Sequence, residues 1–219
     1  MVNEMKKLFL SSAGLSEKTK DIFLEFFGQD PKASKIAVIP TASDVEENKT
    51  YLENDITFMR ELGFETSLID LKGENQQTLL EKLSGYDIIF VEGGNTFYLL
   101  DYVKKSGFDK IIGELLDRGK IYFGVSAGSY IACPTIEAAD WKHIDKNEVG
   151  LKDLSALNLV PFLISAHFRE DLRPIISSAK TTYPYVALYD TQAVIVEDDK
   201  YKVVGDGPRE FFNGFEEKR

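Results

Sequence analysis

Apolar and polar residues alternate along this chain in two rhythms that predict strands and helices in turn. Five short apolar runs have the length and composition of buried strands. Between them, Leu, Ile and Phe recur every three or four residues, the spacing of helices that turn one face to a core. The predicted strands are Lys7 to Leu10, Ile36 to Ile39, Thr66 to Ile69, Asp87 to Val91 and Ile121 to Val125; the predicted helices are Glu17 to Phe27, Asn48 to Leu62 and Gln76 to Leu83.

Repeated strand-helix-strand units predict an α/β fold, with a mostly parallel sheet covered by helices on both faces. In such folds the functional loops lie at the carboxyl ends of the strands. The chain has 219 residues and no Pro/Gly/Ser-rich linker, so we expect residues 1–219 to form a single domain. The final runs are shorter, and the last three of them predict an antiparallel edge: Phe162 to Ala166, Val186 to Tyr189, Ala193 to Glu197 and Tyr201 to Val204.

The charge balance narrows the classes of partner. Thirty-six acidic residues against 26 basic ones give a formal charge of −10, with no basic cluster, which disfavours binding to nucleic acid or to anionic membranes. No apolar run approaches the roughly 18 residues of a membrane span. The single cysteine, Cys133, and the absence of a signal-peptide core predict a cytoplasmic protein.

A turn with the pattern of a nucleophile elbow follows the fifth predicted strand. Ser126 lies between Gly124 and Gly128, with a helix-compatible stretch after it. Glycines flank such a serine because the sharp strand-to-helix turn brings backbone segments too close for side chains. The same turn directs free N–H groups of the helix toward a nearby oxyanion. A Gly-Ser turn without chemistry would have the same short pattern, so the assignment depends on the rest of the chain.

A second glycine turn follows the fourth predicted strand, at an equivalent place in the sheet. Here Gly93 and Gly94 precede Asn95 and Thr96. In an acyl-transfer site, a Gly-Gly loop of this kind supplies the second backbone N–H of an oxyanion hole. We therefore take the N–H groups of Gly94 and Ala127 as candidate oxyanion donors. Alone, the loop is equally consistent with a helix cap through Asn95 or Thr96.

Only two histidines occur in the chain, and one of them is placed to act as a base. His167 follows the predicted strand Phe162 to Ala166, so its imidazole emerges at a strand end. A serine hydroxyl needs such an imidazole within hydrogen-bonding reach, held in the correct tautomer by a carboxylate. Asp190 is the candidate for that carboxylate, since it ends one predicted strand and opens the next. A turn-forming aspartate is the alternative for this residue.

Together these residues resemble peptidase E, the aspartyl dipeptidase family of serine peptidases, and more distantly cyanophycinase. The matching blocks follow the family order and extend over most of the chain. They are VIP at Val38 to Pro40, EGGNTFYLL at Glu92 to Leu100, GVSAGSYIACPTI at Gly124 to Ile136, ALNLVPFLISAHF at Ala156 to Phe168 and ALYDTQAVIV at Ala187 to Val196.

The resemblance implies a flavodoxin-like three-layer sandwich related to class I glutamine amidotransferases. It implies an enzyme without a cofactor that releases the N-terminal residue, aspartate in the named family, from dipeptides or short peptides as a monomer or homodimer. Ser126 matches the family nucleophile and His167 the base, while Gly94 and Ala127 match the oxyanion donors. Asp190 matches a glutamate, so the carboxylate here is one methylene shorter.

Other departures from the family pattern concern the choice of substrate. The family carries an arginine, thought to hold the substrate's aspartate, in a long loop after the histidine, whereas 22 residues separate His167 from Asp190 here. Arg169 and Arg173 are nearby candidates for a carboxylate, though each could equally be a solvated helix residue. A Thr-Thr-Asn-Asp segment of the family is replaced by Ala138, Ala139 and Asp140. Asp140 is a candidate for binding the substrate's ammonium group, and Asn95 for contacting substrate.

Two other functions remain open from the sequence. An α/β-hydrolase esterase orders its triad as serine, acid and histidine, and Asp140, Asp145 and Asp153 all lie between Ser126 and His167. A binding or regulatory protein could keep the fold without useful turnover. Joint retention of serine, histidine, a carboxylate and both glycine turns favours the peptidase.

The remaining chemistry-bearing residues predict little. Cys133 has no base at local spacing, which is typical of a buried structural thiol. His143 lies in a polar stretch and is expected to be exposed. Two distant histidines without clustered carboxylates give no pattern for a metal site.

Overall fold

The computed structural model describes residues 5–219. These residues form ten strands and eight α-helices, joined by loops and short 3₁₀ turns. The strands are β1 (Lys7–Ser11), β2 (Lys35–Ile39), β3 (Glu65–Leu68), β4 (Ile88–Val91), β5 (Ile121–Val125), β6 (Leu163–Ser165), β7 (Tyr185–Ala187), β8 (Gln192–Glu197), β9 (Lys200–Gly205) and β10 (Glu210–Phe212). The helices are α1 (Lys20–Phe27), α2 (Thr50–Glu61), α3 (Gln76–Leu83), α4 (Thr96–Ser106), α5 (Phe108–Asp117), α6 (Ala127–Ala132), α7 (Glu137–Asp140) and α8 (Arg173–Ser177).

Seven strands form one mixed sheet in the order β3-β2-β4-β5-β1-β8-β9. The first five in that order pair in parallel, whereas β8 and β9 continue the sheet in antiparallel fashion beyond β1. In the pairing of β1 with β5, Ser11 lies level with Val125. The residues that follow, Ser12 and Ser126, therefore leave the sheet side by side at its carboxyl edge.

Both faces of the sheet are buried, as a three-layer α/β fold requires. Successive residues of a strand point to opposite faces. Leu8 and Leu10 accordingly belong to one apolar core with the α3 to α6 side of the molecule, while Phe9 belongs to a second core with α1 and α2. In the second core the rings of Phe90 and Phe123 stack with 4.5 Å between centroids. The predicted α/β architecture with helices on both faces is confirmed.

The predicted antiparallel edge needs one correction. The runs Ala193 to Glu197 and Tyr201 to Val204 do form it, as β8 and β9, but Val186 to Tyr189 does not join them. That segment becomes β7, which pairs in parallel with β6 and antiparallel with β10 in a separate three-stranded sheet. Strand β10 was not predicted, because its three residues show only one buried side chain, that of Glu210.

The helices offer no candidate for a membrane span. Across residues 5–219, every helix is too short or too polar to cross a bilayer.

Candidate active site

The turn after β5 holds Ser126 in a strained conformation. Its φ and ψ angles are 48° and −105°, in a region that side chains rarely adopt. Both glycines are required by close approaches of backbone. A Cβ on Gly128 would lie 2.1 Å from the carbonyl oxygen of Val91, and one on Gly124 would lie 2.6 Å from that of Gly128. The spacing of a nucleophile elbow therefore reflects tight packing of α6 against β4 and β5.

Three side chains from distant parts of the sequence form a hydrogen-bonded chain at this turn. The Oγ atom of Ser126 lies 3.0 Å from Nε2 of His167, and Nδ1 of His167 lies 2.7 Å from Oδ1 of Asp190. The hydrogen bond with His167 is the main reason that the pKa of Asp190 is lowered, although burial opposes the shift. A carboxylate in this place fixes the proton on Nδ1 and leaves Nε2 free to accept the serine proton.

Ser12, which the sequence reasoning missed, connects two members of this chain. Its buried hydroxyl accepts a hydrogen bond of 2.7 Å from the backbone N–H of His167. The same Oγ lies 3.0 Å from the carbonyl oxygen of Leu188 and 3.3 Å from Oδ1 of Asp190. Ser12 thus ties the loops that carry His167 and Asp190 to the end of β1. The polar pair Ser11 and Ser12 after an apolar strand was the available signal.

Two residues that come after the serine turn in the chain, Tyr130 and Lys142, contact the backbone of Ala166, which directly precedes His167. The hydroxyl of Tyr130 accepts a hydrogen bond of 3.1 Å from the N–H of Ala166, and Nζ of Lys142 donates to the carbonyl oxygen of the same residue. Burial lowers the pKa of Lys142 to about 8, with Asp145 and Asp190 opposing the shift. These contacts place the backbone that leads into His167, whose φ is 56°.

The predicted oxyanion donors are both available. Within residues 5–219, the N–H groups of Gly94 and Ala127 donate no hydrogen bond to another group of the chain. Ala127 is the first residue of α6, where helix geometry leaves the N–H free. Gly94 has φ of 129° and packs so closely that a Cβ there would lie 2.3 Å from the carbonyl oxygen of Ala42. Only glycine can therefore occupy this position without displacing the loop after β2.

A cavity of about 670 Å³ opens beside Ser126 and His167. This volume suits a small ligand. Five acidic and two basic side chains line it, so its charge is predominantly negative. The acidic residues are Glu46, Glu47, Asp55, Asp145 and Glu148, and the basic ones are Lys142 and Lys146.

Of the four predicted substrate-binding residues, one lines the cavity and three lie outside its lining. Asn95 lines the cavity, but its side chain caps α4 by accepting from the N–H of Tyr98, and its amide donates to the carbonyl of Lys146. Asp140 is exposed and is not part of the lining. Arg169 pairs with Asp171, and Arg173 with Glu170 and Glu210, and neither arginine lines the cavity.

The buried carboxyl group of Glu92 directly precedes the glycine turn, and the charge of the half-buried Asp55 of α2 acts on it. Glu92 is fully buried, and its Oε2 accepts a hydrogen bond from the N–H of Gly93, 3.2 Å away. Burial, with the charge of Asp55, raises the pKa of Glu92 well above its ordinary value. Burial also raises the pKa of Asp55 to about 7. No sequence pattern indicated that these two carboxyl groups influence each other, because Asp55 has the spacing of an ordinary solvated residue on α2.

The raised pKa of Asp55 predicts that the stability of the protein depends on pH. A carboxyl group whose folded-state pKa is raised contributes stability below its unfolded pKa and loses it as pH rises through the folded value. Asp55→Asn is therefore expected to raise the melting temperature by roughly 2–4 °C at pH 8 relative to the wild type, with a smaller gain at pH 5. Thermal unfolding at both pH values measures this difference. An equal or larger gain at pH 5 would contradict the raised pKa of Asp55.

The other candidates for chemistry are excluded by their positions. Burial raises the pKa of the Cys133 thiol to about 12, so it cannot serve as a ready nucleophile. His143 is exposed, as expected from the sequence. In the described part of the chain, no group of three or more His, Cys, Asp or Glu residues could hold a metal ion. None of the acids that an esterase triad would use contacts His167: Asp145 accepts from the N–H of Thr96, Asp153 pairs with Lys104, and Asp140 faces His143 at 3.9 Å.

An α/β fold with a mostly parallel sheet, and with a strained serine, a histidine and an aspartate together at the carboxyl edge of the parallel strands, is typical of a serine hydrolase of the nucleophile-elbow type. Comparison with known proteins is consistent with this class. The sequence model of Peptidase family S51 matches residues 8–204. An uncharacterized peptidase of Pasteurella multocida is 34% identical over 207 residues, which cover 92% of this chain and 99% of that protein. Peptidase E of Shewanella baltica is 29% identical, over 83% of this chain and 78% of its own length.

Two solved structures are similar to this fold. A crystal structure from Listeria monocytogenes, of a protein proposed to be a peptidase E, is 31% identical with a TM-score of 0.80 and covers 93% of this chain and all of its own. A peptidase from an acI-B1 Actinobacterium shares the fold, with a TM-score of 0.73 at 17% identity, over all of this chain and 95% of its own. The chain belongs to Peptidase family S51 and is a serine-type peptidase.

Proposed function

We propose that the protein releases the N-terminal residue from dipeptides or short peptides through a Ser126-His167-Asp190 triad and an acyl-enzyme. The observation that carries the proposal is the unbroken hydrogen-bonded chain from Ser126 Oγ through the imidazole to Asp190, with distances of 3.0 and 2.7 Å. Because Nδ1 is engaged by the carboxylate, Nε2 is the nitrogen that takes the serine proton.

In this mechanism Ser126 attacks the carbonyl carbon of the first peptide bond while His167 accepts its proton. The oxyanion of the tetrahedral intermediate accepts hydrogen bonds from the free N–H groups of Gly94 and Ala127, and each donor contributes about 10² to 10³ in rate if it is well placed. His167 then gives the proton to the leaving amine. Water, deprotonated by the same imidazole, releases the N-terminal residue from Ser126.

The lining of the cavity bears on which N-terminal residue is accepted. An aspartate side chain would be placed among five acidic side chains and two lysines, and the part of the chain that the structure describes contributes no arginine to the lining. Like charges at short distance disfavour binding. Arg169 and Arg173 already pair with acidic neighbours. We therefore propose that neutral or basic N-terminal residues are preferred over aspartate.

The test is hydrolysis of a panel of Xaa-Leu dipeptides and Xaa-p-nitroanilides, with Xaa including Ala, Leu, Lys and Asp. Wild type and Ser126→Ala are assayed in parallel, with products identified by mass spectrometry. The expected result is serine-dependent release of the N-terminal residue, with aspartate among the poorest substrates. Absence of any serine-dependent cleavage would overturn the function, whereas cleavage confined to aspartate would overturn the proposed preference alone.

A further inference from the structure

His167 and Asp190 are carried by two segments that leave the smaller sheet side by side. Strands β6 and β7 pair in parallel, so the segments after them run in the same direction. They stay joined beyond the sheet, because the N–H of Phe168 donates to the carbonyl oxygen of Leu188, 2.8 Å away. An aspartate side chain is short, and its carboxylate reaches the imidazole only while these two backbones remain close. The packing of the two segments therefore sets the geometry of the triad.

An aromatic contact lies directly behind the two triad residues. Phe168 follows His167 in the chain, and Tyr189 precedes Asp190. The two rings meet edge to face, with 5.0 Å between centroids and an interplanar angle of 86°, an arrangement that aromatic pairs favour. Phe168 is buried. A shift of either ring would move the backbone next to a triad residue.

Arg173, the first residue of α8, holds this contact from outside. The Cζ atom of its guanidinium lies 5.3 Å from the centroid of the Phe168 ring. Nη1 and Nη2 donate to the two carboxylate oxygens of Glu210, at 2.7 and 2.8 Å. Nε and Nη2 donate to those of Glu170, at 2.8 and 2.9 Å. Arg173 thus forms two bidentate pairs, which engage four of its five N–H donors and fix the plane of the guanidinium.

Ion pairs on a protein surface usually contribute little, but these belong to a closed network. Glu210, on β10, is nearly buried. Glu170 also accepts a hydrogen bond of 2.7 Å from the hydroxyl of Tyr189. The hydrogen bonds from Arg173 and Tyr189 lower the pKa of Glu170 to about 2, so this carboxylate stays ionised at neutral pH. The contacts lead from Arg173 back to Arg173, and we call the side chains that make them the Arg173 network: Phe168, Glu170, Arg173, Tyr189 and Glu210.

The backbone of His167 needs restraint on both sides. Its φ of 56° is uncommon for a residue with a side chain, and such a conformation persists only where the surroundings enforce it. Ser12 holds the N–H of His167 on one side. On the other side, the next residue, Phe168, lies between the Tyr189 ring and the guanidinium of Arg173 in the network.

We propose that Arg173 is a positioning residue, which through this network keeps His167 within hydrogen-bonding distance of Asp190. This inference rests on the proposed function, in which that hydrogen bond serves catalysis. Arg173 touches neither triad residue in this role and binds no substrate. It lies outside the cavity lining, and its donors are engaged by Glu170 and Glu210, so the carboxylate that this arginine recognises is the protein's own.

The experiment measures kcat and KM separately for Arg173→Met and Arg173→Lys on the best dipeptide of the panel. Arg173→Met is expected to lower kcat by about 10- to 100-fold with little change in KM, since a small displacement of a catalytic group costs up to about 10² in rate. Arg173→Lys should lose nearly as much, because an ammonium group keeps the charge but cannot form two bidentate pairs.

A double-mutant cycle shows whether the loss passes through the triad. Asp190→Asn already disrupts the action of the imidazole, so adding Arg173→Met to it should lower kcat by less than about threefold. A residue that acts elsewhere would cost the same in both backgrounds. Equal losses from Arg173→Met with and without Asp190→Asn would therefore overturn the inference.

Two further variants separate positioning from general damage. Tyr189→Phe keeps the ring and removes the hydroxyl that donates to Glu170, so kcat should fall about 3- to 10-fold even if Arg173→Met does not fold. Arg118→Met removes another exposed arginine with an acidic partner, Glu114, and should leave kcat unchanged. Melting temperatures of all variants show which of them are folded.

The outcomes distinguish this inference from the function on which it rests. An unchanged kcat in folded Arg173→Met, or in Tyr189→Phe where Arg173→Met is unfolded, would overturn the inference and leave a serine peptidase. A raised KM in Arg173→Met that Arg173→Lys restores would also overturn it, because that result is typical of an arginine that binds the substrate by charge. Absence of serine-dependent hydrolysis by the wild type would overturn the proposed function itself.

Discussion

Replacing Ser126 by alanine is expected to lower kcat for peptide hydrolysis by about 10⁵- to 10⁶-fold, the loss typical of removing a triad nucleophile. The reason is that the Oγ of Ser126 is the hydroxyl oxygen that lies 3.0 Å from Nε2 of His167, the nitrogen that acts as the base. The oxyanion donors and the cavity remain, so substrate binding should change little. Rates for wild type and variant on the best dipeptide of the panel measure the effect.

The control is Ser178→Ala, which removes a hydroxyl from the exposed serine that directly follows α8 and should leave kcat unchanged. Unfolding curves of both variants should resemble that of the wild type, because neither substitution leaves a cavity. Substantial turnover by folded Ser126→Ala would mean that another residue or a bound water attacks the substrate directly.

Replacing Asp190 by asparagine is expected to lower kcat by about 10⁴-fold. The carboxylate accepts a hydrogen bond of 2.7 Å from the Nδ1–H group of His167 and stabilises the imidazolium that forms during attack. An amide has nearly the same shape, but it can donate to Nδ1 and so favour the tautomer in which Nε2 carries a proton and cannot act as a base. The loss should therefore appear in kcat with little change in KM.

Asp190→Glu is the matched control, since it keeps the charge and restores the residue of the family pattern. It should retain far more activity than Asp190→Asn. Asp153→Asn tests the esterase order of the triad and should have no effect, because Asp153 pairs with Lys104 rather than with His167. A severe loss in Asp153→Asn together with an active Asp190→Asn would contradict the assignment of the acid.

The sequence predicted the parts of this molecule that have strong local signals. The run Ile121 to Val125 coincides with β5, because a short apolar run beside a Gly-Ser-Gly turn has few other ways to fold. Ser126, His167 and Asp190 became candidates because each follows a predicted strand. The strands before His167 and Asp190 belong to the smaller sheet, so the sequence did not predict how these two residues reach Ser126.

The parts that the sequence missed depend on contacts between distant segments. Ser12 is important because β1 lies next to β5, a pairing that no local pattern shows. Asp55 has the pattern of any charged residue on a helix surface, and only the folded structure places it on the lining of the cavity with Ser126. The segment Val186 to Tyr189 was assigned to the wrong sheet, because an apolar run predicts a strand but not its neighbours.

The most direct test of the central claim is labelling with a fluorophosphonate probe, which reacts with a serine only when a base activates it. The wild type should form one covalent adduct, mapped to Ser126 by mass spectrometry of the digested protein. Ser126→Ala should not react, and His167→Ala should react far more slowly than the wild type. Absence of labelling in the wild type, or labelling that persists without His167, would contradict an activated Ser126.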